Sequence, residues 1–133
     1  MQGIPTIARS AGLRLLVLFG SRAQGDAAPG SDFDLAAEAP PGWNHERHLD
    51  LLDRLGDCLK RRVDLVLLSA STDPVLLHEI FAPGSRCLYE AEAGLFHAWR
   101  SLAARIYAEH LVVVRRHWDE LRQATAGGRA DVS

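Results

Sequence analysis

The chain has 133 residues, 47% hydrophobic and 24% charged, which suits one domain with its own core and excludes a disordered or collagen-like chain. A formal net charge of −2 and a pI near 6.3 give no global basic field, so neither direct nucleic-acid binding nor a membrane partner is expected. Cys58 and Cys87 fit no metal or disulfide pattern, and the early apolar run Leu15 to Phe19 is too short for a signal-peptide core or a membrane span, so a cytoplasmic protein with reduced thiols is expected.

Leu13 to Phe19 is apolar at every position but Arg14 and stops at Gly20, which predicts a buried strand. Ser21 to Gln24 suits a first helical turn capped by Ser21, and Gly25, Pro29 and Gly30 mark a loop. Ser31 to Leu35 alternates strictly and predicts a second strand, with Phe33 and Leu35 facing the core. Pro40, Pro41 and Gly42 break the chain before Asn44, a cap for a helix whose Leu49, Leu52, Leu55 and Leu59 form one apolar face. Lys60, Arg61 and Arg62 close that helix, where positive charge suits its dipole.

Val63 to Leu68 predicts a third strand, and Asp73-Pro74 opens a short helix running to Phe81. Pro83-Gly84 ends it before a further strand, Arg86 to Tyr89, and a long helix from about residue 92 to 124. Residues 126–133 are expected to fray. The order of elements predicts an α/β (α+β) domain over residues 1–125: a small sheet flanked by helices, its core at about 13–90, with a long C-terminal helix.

Asp32 and Asp34 stand two apart on one strand, so both carboxylates project from the same face. Like charges this close raise each other's pKa unless a cation sits between them, and Mg²⁺ is the natural cation for carboxylate and water ligands. Asp64 interrupts an apolar strand, where an unpaired charge is expensive. Alone, the Asp-x-Asp pair reads as a solvated strand face, Asp64 as a salt-bridge partner of Arg61 or Arg62, and Ser21 as a helix cap. Together they favour one shared site. Gly20-Ser21 after the first strand offers backbone N–H groups, a hydroxyl and close approach to a phosphate. Arg22 is a candidate phosphate contact or an ordinary surface arginine. The combination points to metal-assisted phosphoryl or nucleotidyl transfer.

Gly20-Ser21-Arg22-Ala23-Gln24-Gly25, then Ser31-Asp32-Phe33-Asp34-Leu35, then Val63-Asp64-Leu65-Val66 resembles the polymerase-β-like nucleotidyltransferases, whose signature is Gly-Ser, ten residues, then Asp-x-Asp. The small size resembles their minimal nucleotidyltransferase (MNT) family, whose members are often antitoxins of HEPN-domain ribonuclease toxins. The resemblance covers roughly residues 13 to 68. It implies that Gly20 and Ser21 bind a nucleoside triphosphate, with Arg22 a further nucleotide-binding candidate beside them, and that Asp32 and Asp34 hold two Mg²⁺ ions, Asp64 ligating one of them and helping to activate the incoming hydroxyl. It implies ATP as donor and a tyrosine of a cognate HEPN toxin as acceptor. A small-molecule hydroxyl such as that of an aminoglycoside is a rival acceptor, although roughly 65 residues after the last motif leave little room for an acceptor domain. A non-catalytic antitoxin that neutralises its toxin by binding is the rival from another class.

Arg105 and His110 resemble the Arg-x4–6-His motif of HEPN ribonucleases. Position 112, however, is valine instead of tyrosine, and one helix cannot form that bundle. The C-terminal helix carries two apolar stripes. Leu95, Trp99, Leu102, Ile106 and Val113 form the one expected to pack on the domain. Tyr107, Leu111, Val114, Trp118 and Leu121 form a candidate surface for the toxin or for a second copy.

Overall fold

The computed structural model describes residues 3–25 and 27–132. Elements follow in the order α1 (Ile4–Ser10), β1 (Leu15–Phe19), α2 (Ser21–Gln24), β2 (Phe33–Glu38), α3 (His45–Leu59), β3 (Val63–Leu67), α4 (Pro74–Ile80), β4 (Arg86–Glu90) and α5 (Leu95–Val132). The α/β expectation holds, with helix α1 added to it. This first helix seats Ile4 and Ala8 in the core. The segment Asp32–Asp34 is shifted relative to expectation: β2 starts at Phe33 and runs on to Glu38, so Asp32 precedes the strand.

The sheet has the order β3-β2-β1-β4. β1 pairs antiparallel with both β2 and β4, whereas β2 and β3, joined through α3, are parallel. Every residue of β1 is buried, as its unbroken apolar run requires of a central strand. One face carries Leu16, Leu18, Phe33 and Leu35 against α1 and α3. The other carries Leu15, Val17, Phe19 and Ala36 against α4 and α5. Asn44 caps α3 through the Arg47 amide at 2.8 Å, and Asp73 caps α4 through the amides of Val75 and Leu76, both as the sequence predicts.

The antiparallel and parallel pairings gather the C-terminal end of β1 and the N-terminal ends of β2, β3 and β4 at one rim of the sheet. All the motif residues lie at that rim. Strand β3 is an edge strand, and Asp64 on it is exposed. The expectation of a carboxylate inside a buried strand is therefore corrected: the apolar residues of β3 are at most partly buried, Val63 and Leu65 on the α3 side and Val66 on the other.

The N-terminal half of α5 packs on the domain through Ala103, Trp99 and Ile106, with Trp99 stacked on Phe81 at 6.0 Å. Beyond that the helix outlasts the surface that covers it. Val113, expected in the inward stripe, is 62% exposed, while Tyr107, expected outward, stacks on His78 at 3.8 Å. The sheet and α4 end below this point, so spacing alone could not assign the stripes. Helical backbone continues to Val132, past the expected stop. None of the described helices is long and apolar enough to cross a membrane.

The start of α5 is tied to β4 by Glu90, whose carboxylate accepts the Phe96 amide at 2.9 Å and the Gly94 amide at 3.1 Å. These two bonds hold its carboxyl below the usual range. The stability they contribute is present above the ordinary pKa of the side chain and is lost as pH falls through the lowered one. Glu90→Gln should lower the melting temperature at neutral pH and flatten its fall on acidification. Thermal melts of both proteins across the acidic range check this, and parallel curves would refute it.

Candidate active site

The turn after β1 begins with Gly20 at φ 76°, a conformation that favours glycine. Gly20 is the residue before the first helical position, and α2 starts at Ser21 with no side-chain cap. The expectation that Ser21 caps the helix is thus corrected. Its exposed hydroxyl is not spent on the helix end. The amides of Ala23 and Gln24 both reach the Gly20 carbonyl at 3.1 Å, closing the turn.

Asp34 is seated by the pairing of β2 with its two neighbours. It lies opposite Phe19 in β1 and beside Asp64 in β3. It is only partly exposed, whereas Asp32 and Asp64 are exposed. Burial pushes the Asp34 carboxyl up from its ordinary value, and the charges of Asp64 and Asp32 push it the same way. Among the described residues Asp64 has no salt-bridge partner. Arg61 instead donates to the Lys60 carbonyl at 2.8 Å. The rim therefore carries three carboxylates, and burial together with the charges of the other two raises the pKa of Asp34.

That donor set is all hard oxygen and anionic, the chemistry that suits Mg²⁺. Among the described residues no three His, Cys, Asp or Glu side chains are gathered tightly enough to hold an ion. The residues fit a divalent cation by charge and donor type, and they are not prearranged as a cage. Asp26 lies outside the described residues.

Arg22, expected as a phosphate contact or a surface arginine, is partly exposed and also braces the neighbouring loop. Its guanidinium donates twice to the Ser31 carbonyl, at 2.6 and 3.2 Å, and lies 4.4 Å over the Phe33 ring. It closes the loop between the Gly-Ser turn and the aspartates. Gly20 also has a role beyond turn geometry: a Cβ there would lie 2.5 Å from Asp34 Oδ2. The turn and the central carboxylate are in contact because this position has no side chain.

Residues 3–93 match the family model described as Polymerase beta, Nucleotidyltransferase. In three dimensions the chain is similar to a chain of a crystal structure of a toxin–antitoxin with AMP-PNP, at 24% identity and TM-score 0.72 over 91% of this chain and 97% of that one. It is also similar to a chain of the rebuilt structure of the tri-AMPylated Shewanella oneidensis HEPN toxin in complex with MNT antitoxin, at 21% identity and TM-score 0.66 over 91% and 94%. A third likeness, to a chain of the MntA–HepT toxin–antitoxin, has 21% identity and TM-score 0.66 over 91% and 95%. At these identities the likenesses establish the fold. No curated protein matches the chain.

Two substitutions test the rim. Gly20→Ala forces a left-handed alanine against Asp34 and should cost roughly 1–3 kcal/mol, read by denaturant unfolding. Asp34→Asn removes the repelled charge while keeping shape. It should raise the melting temperature of the metal-free protein at neutral pH and abolish the further rise expected on adding Mg²⁺ to the wild type. A mutant that melts like wild type with and without Mg²⁺ would refute this electrostatic account.

Proposed function

The chain belongs to the Polymerase beta nucleotidyltransferase family, and on that premise we propose that it transfers AMP from ATP to a tyrosine hydroxyl of a cognate HEPN-domain ribonuclease toxin, acting as its antitoxin. Its nucleotidyltransferase activity follows from the family. The observation that carries the reading of the rim as the transfer site is the register that sets Asp34 beside Asp64 and next to the Gly20–Ser21 turn. The structural likeness to chains of toxin–antitoxin complexes, one with AMP-PNP and one with a tri-AMPylated toxin, supports donor and partner.

In this reading the Gly20–Ser21 turn and the Ser21 hydroxyl hold the triphosphate, and Arg22 keeps the loop that carries Asp32 closed on Phe33. Asp32, Asp34 and Asp64 would hold two Mg²⁺ ions, which supply charge neutralisation on the triphosphate and a lowered pKa at the attacking oxygen. Asp64 receives the proton of the incoming hydroxyl. That oxygen bonds to the α-phosphorus as the bond to pyrophosphate breaks, and pyrophosphate leaves. Because Asp64 lies exposed on an edge strand, the acceptor side is open to a side chain presented by another protein, which favours a protein acceptor over an enclosed small molecule.

The outer half of α5 is the docking surface in this reading. Leu111, Trp118 and Leu121 share the outward stripe, and Trp118 is 58% exposed. Monomeric proteins rarely leave such a stripe uncovered. A second copy of the chain is the other occupant this face could take.

Transfer of label from α-³²P-ATP with Mg²⁺ to the purified toxin, lost in the Asp32→Ala/Asp34→Ala double mutant, is the expected result. Co-purification of the two proteins with no label from any of the four nucleotides would instead establish neutralisation by binding alone. Trp118→Asp should leave the monomer folded and weaken assembly, read by light scattering with and without toxin; an unchanged assembly would remove α5 from the interface.

A further inference from the structure

Gln24 ends α2, and its amide reaches across the molecule: Nε2 donates to the Pro83 carbonyl at 2.8 Å. Pro83 belongs to the turn between α4 and β4, at the same rim of the sheet as the aspartates. The turn is shaped to receive it. Gly84 has φ +97°, and a Cβ there would lie 2.7 Å from Gln24 Oε1 and 2.9 Å from Nε2. The hydrogen bond and the absence of a side chain at Gly84 meet at one seat for the Gln24 amide.

The seat is itself anchored. Arg100 of α5 donates to the Phe81 carbonyl at 3.3 Å and to the Ala82 carbonyl at 3.4 Å, with its guanidinium 4.9 Å over the Phe96 ring. Three consecutive carbonyls, those of Phe81, Ala82 and Pro83, are therefore each taken by a side chain from another helix. Helix α2 needs such a tether because it has four residues and none of them is buried. A helix this short is not held by its own backbone bonds. Arg22 fixes it on the side of the loop to Ser31, and Gln24 fixes it on the side of β4.

We infer that Gln24 is a positioning residue for the nucleotide, holding the Gly20–Gln24 turn against the Pro83–Gly84 seat so that the turn is set before the triphosphate arrives. The inference rests on the reading of that turn as the triphosphate cradle. Preorganisation of this kind acts on binding, since a turn already in place pays less ordering entropy when the ligand binds. One neutral hydrogen bond sets the scale, an affinity change of about three- to ten-fold.

The test is calorimetric titration of the full chain with ATP and Mg²⁺. Gln24→Met keeps the length of the side chain and removes the donor, and Gly84→Ala crowds the seat from the opposite side. Both should raise Kd by about three- to ten-fold at unchanged stoichiometry. A purely structural role would lower the fraction of chains that bind and leave their Kd alone. An unchanged Kd in Gln24→Met overturns the proposal. If Ser21→Ala raises Kd in the same experiment, the failure is that of the tether alone; if Ser21→Ala is also without effect, the failure reaches the cradle reading beneath it.

Discussion

A partly buried carboxylate, Asp34, set beside two others at one rim of the sheet, is the constraint around which the neighbouring structure is arranged. Asp34 is held between a buried phenylalanine on β1 and a second aspartate on β3, and its carboxyl is pushed toward the neutral form by burial and by its neighbours. A chain selected only for stability would place a neutral residue there. Keeping the charge costs stability, and under the proposed function it is the charge that a divalent cation would meet. In that reading function and folding oppose each other at this residue, a common arrangement in active sites.

Around that centre a few contacts bring distant segments close. Gly20 lets the turn after β1 touch Asp34, Arg22 draws the following loop onto Phe33, and Gln24 reaches the carbonyl before Gly84. Each contact links segments that the sequence separates. Together they make a four-residue helix, too short to be stable by itself, part of a fixed rim.

Helix α5 belongs to two environments. Its first half completes the core on the α4 face of the sheet, with Trp99, Ala103 and Ile106 packed inward and Glu90 fixing its start. Its second half has no such cover, so Leu111, Val112, Val113 and Trp118 remain exposed. The helix thus links the rim, through Arg100 and the carbonyls of Phe81 and Ala82, to the exposed apolar surface proposed for a partner.

Much of this was determined by the sequence itself, because the deciding forces are local. The apolar run of β1, the alternation around Asp32 and Asp34, the caps at Asn44 and Asp73 and the Gly-Ser to Asp-x-Asp spacing depend on neighbours in the chain, and the structure has each strand and helix they imply. What only the tertiary structure decided depends on partners far along the chain. Asp64 is exposed because β3 is the edge strand, Val113 points to solvent because the sheet ends beneath α5, and Arg22 and Gln24 bind backbone carbonyls that no local pattern reveals. Periodicity states that a face is apolar. Which element covers it, and where that cover stops, is set by how the sheet is ordered and how far each element extends.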